Sequence, residues 1–233
     1  MILPSMNYNE IHKEMMEDGL NIMRWITWKG NDIRKLSLKA KKFPFHLTVK
    51  HTSPRKNVWT VIFVVNKKIR GNDGETWNVV YTSFRAPEGI IHLQLTPGIN
   101  GQMYVNAFPP HFFKRYAERM NIDLTGDALV EHFFRWNDAG YNIEKPEGEH
   151  EQCMCVRDGV CLGEVINDRT YLARTFIRYD MSIGWQREAF EKKRKKFDIG
   201  PKVMMVETNF AEKSPIKHTY KDRDRKQEIF FHH

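Results

Sequence analysis

The sequence predicts an α+β fold, in which N-terminal helices and an antiparallel meander precede two further helices, a three-stranded meander and a final helix. Three observations predict it: helical hydrophobic spacing in the first part of the chain, five strand-like segments ending at Phe108, and a second set of helix and strand patterns from Pro110. We therefore expect an N-terminal α+β segment of unknown role over residues 1–107, a second unit over 108–199, and a polar, mobile tail over 200–233.

The composition indicates a folded, basic protein. Hydrophobic residues make up 41% of the 233 residues and aromatic residues 12%, which is enough for a sizeable core. The formal net charge of +8 favours polyanionic partners such as RNA or DNA, although modest basicity is also common in proteins that bind neither. The sequence shows no signal-peptide pattern and no uncharged stretch that would span a bilayer, so we expect a cytoplasmic protein without a membrane partner.

The N-terminal segment combines helical and strand patterns. Apolar residues recur three to five positions apart between about Tyr8 and Lys41, and Gly19 and Gly30 interrupt them, so two short helices are predicted. Pro44 ends this helical region. Five strands with links rich in Pro, Gly, Asn and Asp then predict an antiparallel meander. These strands are predicted at Phe45–His51, Val58–Asn66, Thr76–Phe84, Ile90–Thr96 and Met103–Phe108.

The segment from Phe108 to Met120 predicts a helix with a cationic stripe. The proline at position 110 suits the first helical turn, because its φ is preset and it gives up no hydrogen bond there. His111, Arg115 and Arg119 then fall four residues apart and share one side of the helix. Bulky apolar residues occupy the adjoining face, which we expect to be buried: Phe112, Phe113, Tyr116 and Met120.

This stripe is a candidate phosphate site. The free N–H groups and the positive end of the helix dipole attract an anion to the first turn, near His111, and the two guanidiniums add donors suited to phosphate oxygens. The alternative is that the two arginines pair with Glu118 or other surface carboxylates and that His111 only caps or packs. Spacing alone does not choose between these interpretations.

A second helix follows the stripe. Thr125 is placed to cap a helix that runs to about Asn137, with Trp136 among its core residues. His132 lies in the same apolar neighbourhood, and we expect it to be a packed or hydrogen-bonded residue rather than a ligand. The residues Tyr141–Glu149 are expected to form a polar loop.

A meander and a basic helix complete the second unit. The pair Asp158 and Gly159 predicts a two-residue hairpin turn. A last helix is predicted from Asp180 or Ser182 to about Lys196, and its cations suit either phosphate contacts or a solvated helix end. Three residues are expected on its apolar side: Ile183, Phe190 and Phe197. The strands of the meander are predicted at Gln152–Arg157, Val160–Ile166 and Thr170–Ile177.

The three cysteines do not predict a metal site. Because side chains alternate along a strand, Cys153 and Cys155 share one face, while the predicted hairpin pairs Cys161 with Val156 on the other face. Their odd number does not make a disulfide framework and fits a reducing compartment. Walker, dinucleotide-binding, zinc-protease and serine-hydrolase motifs are absent from the sequence, so no cofactor is expected.

Several of these features point to one family when they are taken together. The stripe of His111, Arg115 and Arg119 is followed by a second helix and a β-meander. The last strand of this meander contains the segment Leu172–Ile177, which leads to a helix with Gln186. Over roughly residues 108–196 this combination resembles the small toxin ribonucleases of the RelE-like and BrnT-like kind, which are related in fold to barnase and colicin-type ribonucleases. The large N-terminal half departs from those compact toxins, so an accessory protein on the same scaffold is an alternative role.

The resemblance implies metal-independent RNA cleavage, in which the ribose 2′-oxygen attacks the adjacent phosphate. It implies that His111 is the general acid or base and that Arg115 and Arg119 stabilise the phosphorane charge. Thr175 would orient the phosphate, unless it is there only for its β propensity. RNA is the expected substrate, with an antitoxin-like or other protein as a further partner and no metal or cofactor. Five cations are expected to contact nucleic acid: Arg174, Arg187, Lys192, Lys193 and Arg194.

A non-catalytic binding module is the competing hypothesis. The same basic features, together with exposed tryptophans, would then hold nucleic acid or a protein partner, although tryptophan in such patterns is more often a core residue. The tryptophans considered are Trp25, Trp28, Trp59 and Trp77. A third class is a structural or phage-type accessory protein with no nucleic-acid role.

Overall fold

The structure is a computed structural model that describes residues 1–70, 76–97, 102–137, 140–143, 152–183, 187–188, 190–191, 194 and 229–230. Within these residues the fold is α+β, as predicted, with a long N-terminal helix, two helices in mid-chain and a mixed, mostly antiparallel sheet. The helices with described bounds are α1 (Tyr8–Lys39), α2 (Pro110–Met120) and α3 (Gly126–Trp136). Positions 187–188, 190–191 and 194, which lie within the predicted last helix, are also helical. The strands are β1 (Phe45–Thr52), β2 (Val58–Val65), β3 (Thr76–Ala86), β4 (Gly89–Pro97), β5 (Met103–Phe108), β6 (Gly140–Ile143), β7 (Gln152–Val156), β8 (Gly159–Asn167), β9 (Thr170–Arg178) and β10 (Ile229–Phe230).

The ten described strands form one sheet in the order β10-β1-β2-β3-β4-β5-β9-β8-β7-β6. Neighbouring strands are antiparallel except β5 and β9, which run parallel with Val105 opposite Thr170. The five strands of the predicted N-terminal meander are confirmed, as are the three strands after the second helix. Strands before and after the boundary expected near Phe108 belong to the same sheet, and the division into two units and a tail stays a prediction.

Helices cover both faces of this sheet. Val61 and Ile62 are neighbours on β2, and because side chains alternate along a strand they enter different cores. Val61 packs in the cluster that includes residues of α1, and Ile62 in the cluster that includes residues of α2 and α3. No helix in the described ranges has the length and apolar character needed to cross a bilayer.

α1 is one continuous helix of 32 residues, where the sequence predicted two short ones. Gly19 does not end the helix, because it lies where the helix meets the sheet: a Cβ on this residue would lie 2.9 Å from Leu95 Cδ2. The missing side chain allows a close approach rather than a break. A capping box fixes the start of α1, since the Asn7 side chain accepts the Glu10 N–H and the Glu10 side chain accepts the Asn7 N–H.

A buried polar network that no sequence pattern predicted holds α1 against β2 and the turn before it. Asp18 is fully buried. Its Oδ2 accepts hydrogen bonds from Ser53 Oγ at 2.7 Å, Asn57 Nδ2 at 2.7 Å and Trp59 Nε1 at 2.8 Å. Hydrogen bonds to a charged acceptor are stronger than neutral ones, and here they offset the burial of the carboxylate.

Glu14 lies one helical turn before Asp18 and extends this network to the surface. Its carboxylate accepts two hydrogen bonds from the Arg55 guanidinium, one of them from Nε at 3.0 Å, and another from Asn57 Nδ2 at 3.2 Å. The hydrogen bonds from Arg55 outweigh the effect of burial and lower the pKa of Glu14 to about 2. The network therefore contains an ionised carboxylate that the fold stabilises.

α2 begins at Pro110 and presents its apolar face to the sheet, as predicted. Three of the four expected residues, Phe112, Phe113 and Tyr116, are buried, and Met120 is half-buried against the same cluster. Phe112 meets Phe176 of β9 edge to face, with ring centroids 6.3 Å apart. Such aromatic packing fixes the orientation of α2 on the sheet, and with it the direction of the outer stripe.

α3 also forms where it was predicted, with two local differences. Thr125 occupies the N-cap position, but its side chain makes no capping hydrogen bond. Trp136 was expected in the core and is 53% exposed, whereas Phe133 and Phe134 in the same turn of α3 are buried. His132 is half-buried, with its ring centroid 6.3 Å from that of Tyr116, so the expectation of a packed histidine is confirmed.

The turn between β7 and β8 lies one residue earlier than predicted, which shifts the strand pairing by two residues. Gly159 pairs with Val156, so positions 157 and 158 form the turn. Cys161 consequently lies opposite Met154 and not opposite Val156. Gly159 is the first residue of β8, and only glycine fits there because a Cβ would collide with the carbonyl oxygen of Ile177 on β9. The side chain of Asp158 is held by hydrogen bonds from α2 and from the end of α3.

Three further segments differ from their predictions. Gly140–Ile143 forms a strand in what was predicted as a polar loop, because it pairs with β7. Ile183 is 77% exposed and follows a short 3-10 helix, so it does not lie on the apolar side of a helix. Phe190 is buried as expected, while position 197 lies outside the described residues. Ile229–Phe230 pairs with β1, and the rest of the predicted tail lies outside the described residues.

The Asp18 network yields a stability prediction. We expect Asp18→Ala to lower the free energy of unfolding by about 3 kcal/mol, because three donors lose their buried acceptor. Asp32→Ala is the matched control, since Asp32 lies on the same helix and makes only an exposed pair with Lys29 at 3.2 Å. Urea unfolding of both variants is the measurement, and equal losses would show that the buried network does not stabilise α1.

Glu14 yields a prediction about pH. Its pKa is lower in the folded protein than its ordinary value of 4.5, so its contribution to stability is complete above that value. The contribution is lost as the pH falls from about 4.5 to about 2. In Glu14→Gln, stability should therefore depend less on pH in this window, whereas Glu17→Gln should keep the dependence because Glu17 is exposed. Unfolding midpoints at several pH values test this, and parallel curves for both variants would contradict it.

Candidate functional site

The outer side of α2 carries the predicted stripe. His111 and Arg115 are exposed, and Arg119 is half-buried. Arg115 Nη1 lies 3.1 Å from Glu118 Oε2, and about half of each side chain is exposed. An exposed pair of this kind contributes roughly 0–1 kcal/mol, so Arg115 can exchange Glu118 for another anion with little loss. The pairing with Glu118 was the alternative that the sequence left open for this residue.

Arg119 and Thr175 meet across the boundary between α2 and β9. Arg119 Nη1 donates to Thr175 Oγ1 at 3.3 Å and to the carbonyl oxygen of Phe176. The guanidinium thus fastens the last turn of α2 to the strand, and hydrogen bonds from a charged donor are strong ones. Two of the four predicted site residues therefore lie together, and one of them also has a structural role.

The cations expected to bind nucleic acid lie apart from this stripe. Arg174 lies at a β-bulge of β9, beside Thr175, and pairs with Glu164. Arg194 lies 3.6 Å from Glu191 and 5.8 Å from the centroid of the Tyr179 ring. The other described cation, at position 187, is exposed, while those at positions 192 and 193 lie outside the described residues. Their contact with nucleic acid stays a prediction.

The basic charge of the chain is distributed unevenly. Residues 192–233 contain twelve Lys and Arg against six Asp and Glu, so this segment carries +6 of the formal net charge of +8. Residues 1–191 carry 25 Lys and Arg against 23 Asp and Glu and are close to neutral. Any attraction of a polyanion through net charge therefore comes mainly from the C-terminal segment.

A second network, which the sequence did not predict, supports the underside of α2. The hydroxyl of Tyr116 donates to Asp158 Oδ2 at 2.6 Å, and Asn137 Nδ2 donates to the same oxygen at 2.9 Å. Asn137 Oδ1 in turn accepts the backbone N–H of Asp158 at 3.0 Å. Burial, and after it the carboxylate of Asp158, raise the pKa of Tyr116, so its hydroxyl remains a donor. The network ties both helices to the β7–β8 turn.

A cavity of about 270 Å³ lies between α3 and β1. Its polar lining includes His46, Glu131, His132 and Arg135, with Trp136 beside them. Arg135 lies 2.5 Å from Glu131, and the Nε atom of Arg135 is buried without a hydrogen-bond partner among the described residues. No sequence pattern marked this place, since the two histidines lie far apart in the chain.

A groove with a larger volume, about 900 Å³, is lined by residues of α2 and includes His92. His92 Nδ1 lies 2.7 Å from Ser83 Oγ on the neighbouring strand. Burial lowers the pKa of His92 to about 4, which makes the ring a poor base for a serine nucleophile at neutral pH. One lysine and three carboxylates are the charged groups of the groove, so it does not favour a polyanion: Lys114, Glu118, Asp123 and Asp127.

The cysteines and tryptophans are mainly structural. Cys161 packs in the core under α2, and the other two cysteines face the opposite cluster, so the predicted separation of the thiols is confirmed. Among the described residues, no group of three His, Cys, Asp or Glu side chains is arranged to hold a metal. Trp59 is buried, Trp25 stacks on His51, and Trp28 is 65% exposed beside Lys29.

Comparison with protein-family models, curated proteins and solved structures gives no match for this chain. The resemblance to the RelE-like and BrnT-like ribonucleases therefore stays an expectation. It rests on the short motif in α2, the elements that follow it and the segment Leu172–Ile177 in β9.

The contact of Arg119 with β9 predicts that Arg119 contributes to the stability of the fold, whereas Arg115 does not. We expect Arg119→Ala to lower the free energy of unfolding by about 2 kcal/mol, because the Phe176 carbonyl and the Thr175 hydroxyl lose a charged donor. Arg115→Ala should change it by less than about 0.5 kcal/mol, because the pair with Glu118 is exposed. Urea unfolding tests both, and equal effects would contradict a structural role for Arg119.

Proposed function

We propose that this chain is a ribonuclease-like protein that cleaves RNA phosphodiesters without a metal ion, at the outer surface of α2 where this helix meets β9. The observation that carries the proposal is the distance of 3.3 Å between Arg119 Nη1 and Thr175 Oγ1. The family resemblance involves α2 and β9, and the Arg119 guanidinium of the first thus lies beside the Thr175 hydroxyl of the second. The exposed His111 and Arg115 are on the same helix and remain open to a large substrate.

The proposed reaction follows from these side-chain types. The 2′-oxygen of a ribose attacks the adjacent phosphorus, its proton passes to a base, and the departing 5′-oxygen receives a proton from an acid. An imidazole suits either proton step near neutral pH, and His111 fills this role. Arg115, released from Glu118, would stabilise the additional negative charge of the phosphorane.

Arg119 takes a narrower role in this proposal. Because its guanidinium already donates to β9, it acts first as a positioning residue that holds Thr175 beside the stripe. Thr175 is half-buried, and its hydroxyl can donate to a phosphate oxygen while its oxygen accepts from Arg119. This arrangement would place one neutral donor and one cation on the same side of the phosphate.

A non-catalytic nucleic-acid-binding module is the second candidate. The observation that favours it is the charge distribution, since residues 192–233 carry most of the net positive charge and none of the proposed catalytic groups. Binding through that segment would depend on salt and would not require His111. Turnover therefore separates the two candidates.

Cleavage of a mixed RNA pool in excess EDTA tests the proposal. We expect His111→Ala to lower the cleavage rate by about a hundredfold or more, since one positioned acid or base contributes roughly 10²–10⁴ to a rate. Arg115→Ala should lower it by at least tenfold.

Arg24→Ala is the matched control, because Arg24 is an exposed arginine on α1 and lies on the other side of the sheet. It should cleave RNA at the rate of the unaltered protein. RNA that is retained at low salt, released at high salt and never cleaved would overturn the proposed activity in favour of the binding module.

A further inference from the structure

The cavity between α3 and β1 has a polar floor with no net charge. Thr48 Oγ1 donates to Glu131 Oε1 at 2.6 Å, and Arg135 Nη2 lies 2.5 Å from the same carboxylate and 3.2 Å from Thr48 Oγ1. Because Glu131 compensates Arg135, the floor does not attract an anion such as a free phosphate. A neutral ligand that carries hydrogen-bonding groups fits this floor better than a charged one.

Two imidazoles, those of His46 and His132, are among the side chains that line the cavity. Burial, and after it the charge of Arg135, lower the pKa of His46. Burial also lowers the pKa of His132, while Asp158 opposes and Arg135 adds to the effect. A neutral imidazole has one donor and one acceptor, so the pair offers an alternating set of hydrogen-bonding atoms. Such a set matches the polar edge of a heterocycle better than the acceptor-only surface of a phosphate.

An exposed indole stands beside these polar groups. Trp136 is 53% exposed, although tryptophan is usually well buried, and its ring centroid lies 6.1 Å from that of His132. An exposed aromatic face can stack on a planar ligand ring, and the polar groups beside it can form hydrogen bonds with the edge of that ring.

The floor also contains an unsatisfied donor. Arg135 Nε is buried and has no hydrogen-bond partner among the described residues, and a buried polar atom of this kind calls for an explanation. A small shift of the guanidinium on ligand binding would let this donor find an acceptor. The volume of about 270 Å³ gives room for a single ring system.

We propose that this cavity binds one nucleobase, with the ring stacked on Trp136 and its polar edge between His46 and His132. The base is either that of a free nucleoside or one unpaired base of an RNA strand, and both present the same planar edge. The proposal does not rest on the cleavage proposed for α2, because none of the cavity residues belongs to the stripe.

Titration with nucleosides, followed by saturation-transfer NMR on the ligand at pH 7.5, tests the proposal. Adenosine, guanosine, cytidine and uridine are the probes, and at least one is expected to bind. Trp136→Ala should weaken that binding by about tenfold or more, whereas Trp136→Phe should keep most of it because the ring is retained. Leu20→Ala is the control, since Leu20 is an exposed apolar residue on α1 that belongs to neither candidate site.

A trinucleotide with 2′-O-methyl groups distinguishes the two sources of the base. It lacks the attacking hydroxyl, so it reports binding even if the protein cleaves RNA. A trinucleotide that binds at least tenfold more tightly than the nucleosides, and that loses this advantage in Trp136→Ala, identifies an RNA base as the ligand. Equal affinities identify a free nucleoside. No binding of either probe at millimolar concentration, or binding that Trp136→Ala leaves unchanged in a protein with normal unfolding, would overturn the proposal.

Discussion

The parallel pairing of β5 with β9 joins the two halves of the sheet, and the positions of the other elements around α2 follow from it. β5 ends at Phe108, α2 begins two residues later, and the chain next enters the sheet at β6, after α3. α2 lies over β9, where its buried rings contact Phe176 of the strand. The outer stripe lies on the side of α2 that does not pack against the sheet. A hydrogen bond from the Arg119 guanidinium to Thr175 links the stripe to β9.

The two candidate sites lie on the same side of the sheet and differ in chemistry. The stripe on α2 is cationic and largely exposed, as the proposed phosphate contact requires. The cavity beside α3 pairs its arginine with Glu131, which agrees with the neutral ring proposed there. His132 is a link between them, because its ring approaches both Tyr116 under α2 and Trp136 at the cavity. A nucleotide presents both chemistries, a charged phosphate and a neutral base. Each site can nevertheless be tested alone.

The regular elements could be predicted from local patterns, whereas the networks and the cavity could not. Strands β1 to β5 follow from alternation and turn residues, and the start of α2 follows from its proline. Gly19 was misread as a break because its role depends on Leu95, which is distant in sequence. The β7–β8 register depends on the side chain of Asp158, whose partners lie in α2 and after α3. His46 and His132 likewise meet only in the folded chain.

The chemical ends of the RNA fragments provide the most direct test of the reaction proposed for α2. Attack by the 2′-oxygen leaves a 2′,3′-cyclic phosphate on one fragment and a 5′-hydroxyl on the other. Phosphorus NMR of RNA incubated with the purified protein in EDTA should show the cyclic phosphate, and the same incubation with His111→Ala should not. Fragments that carry 5′-phosphate and 3′-hydroxyl ends, or an unchanged RNA spectrum, would contradict the proposed reaction.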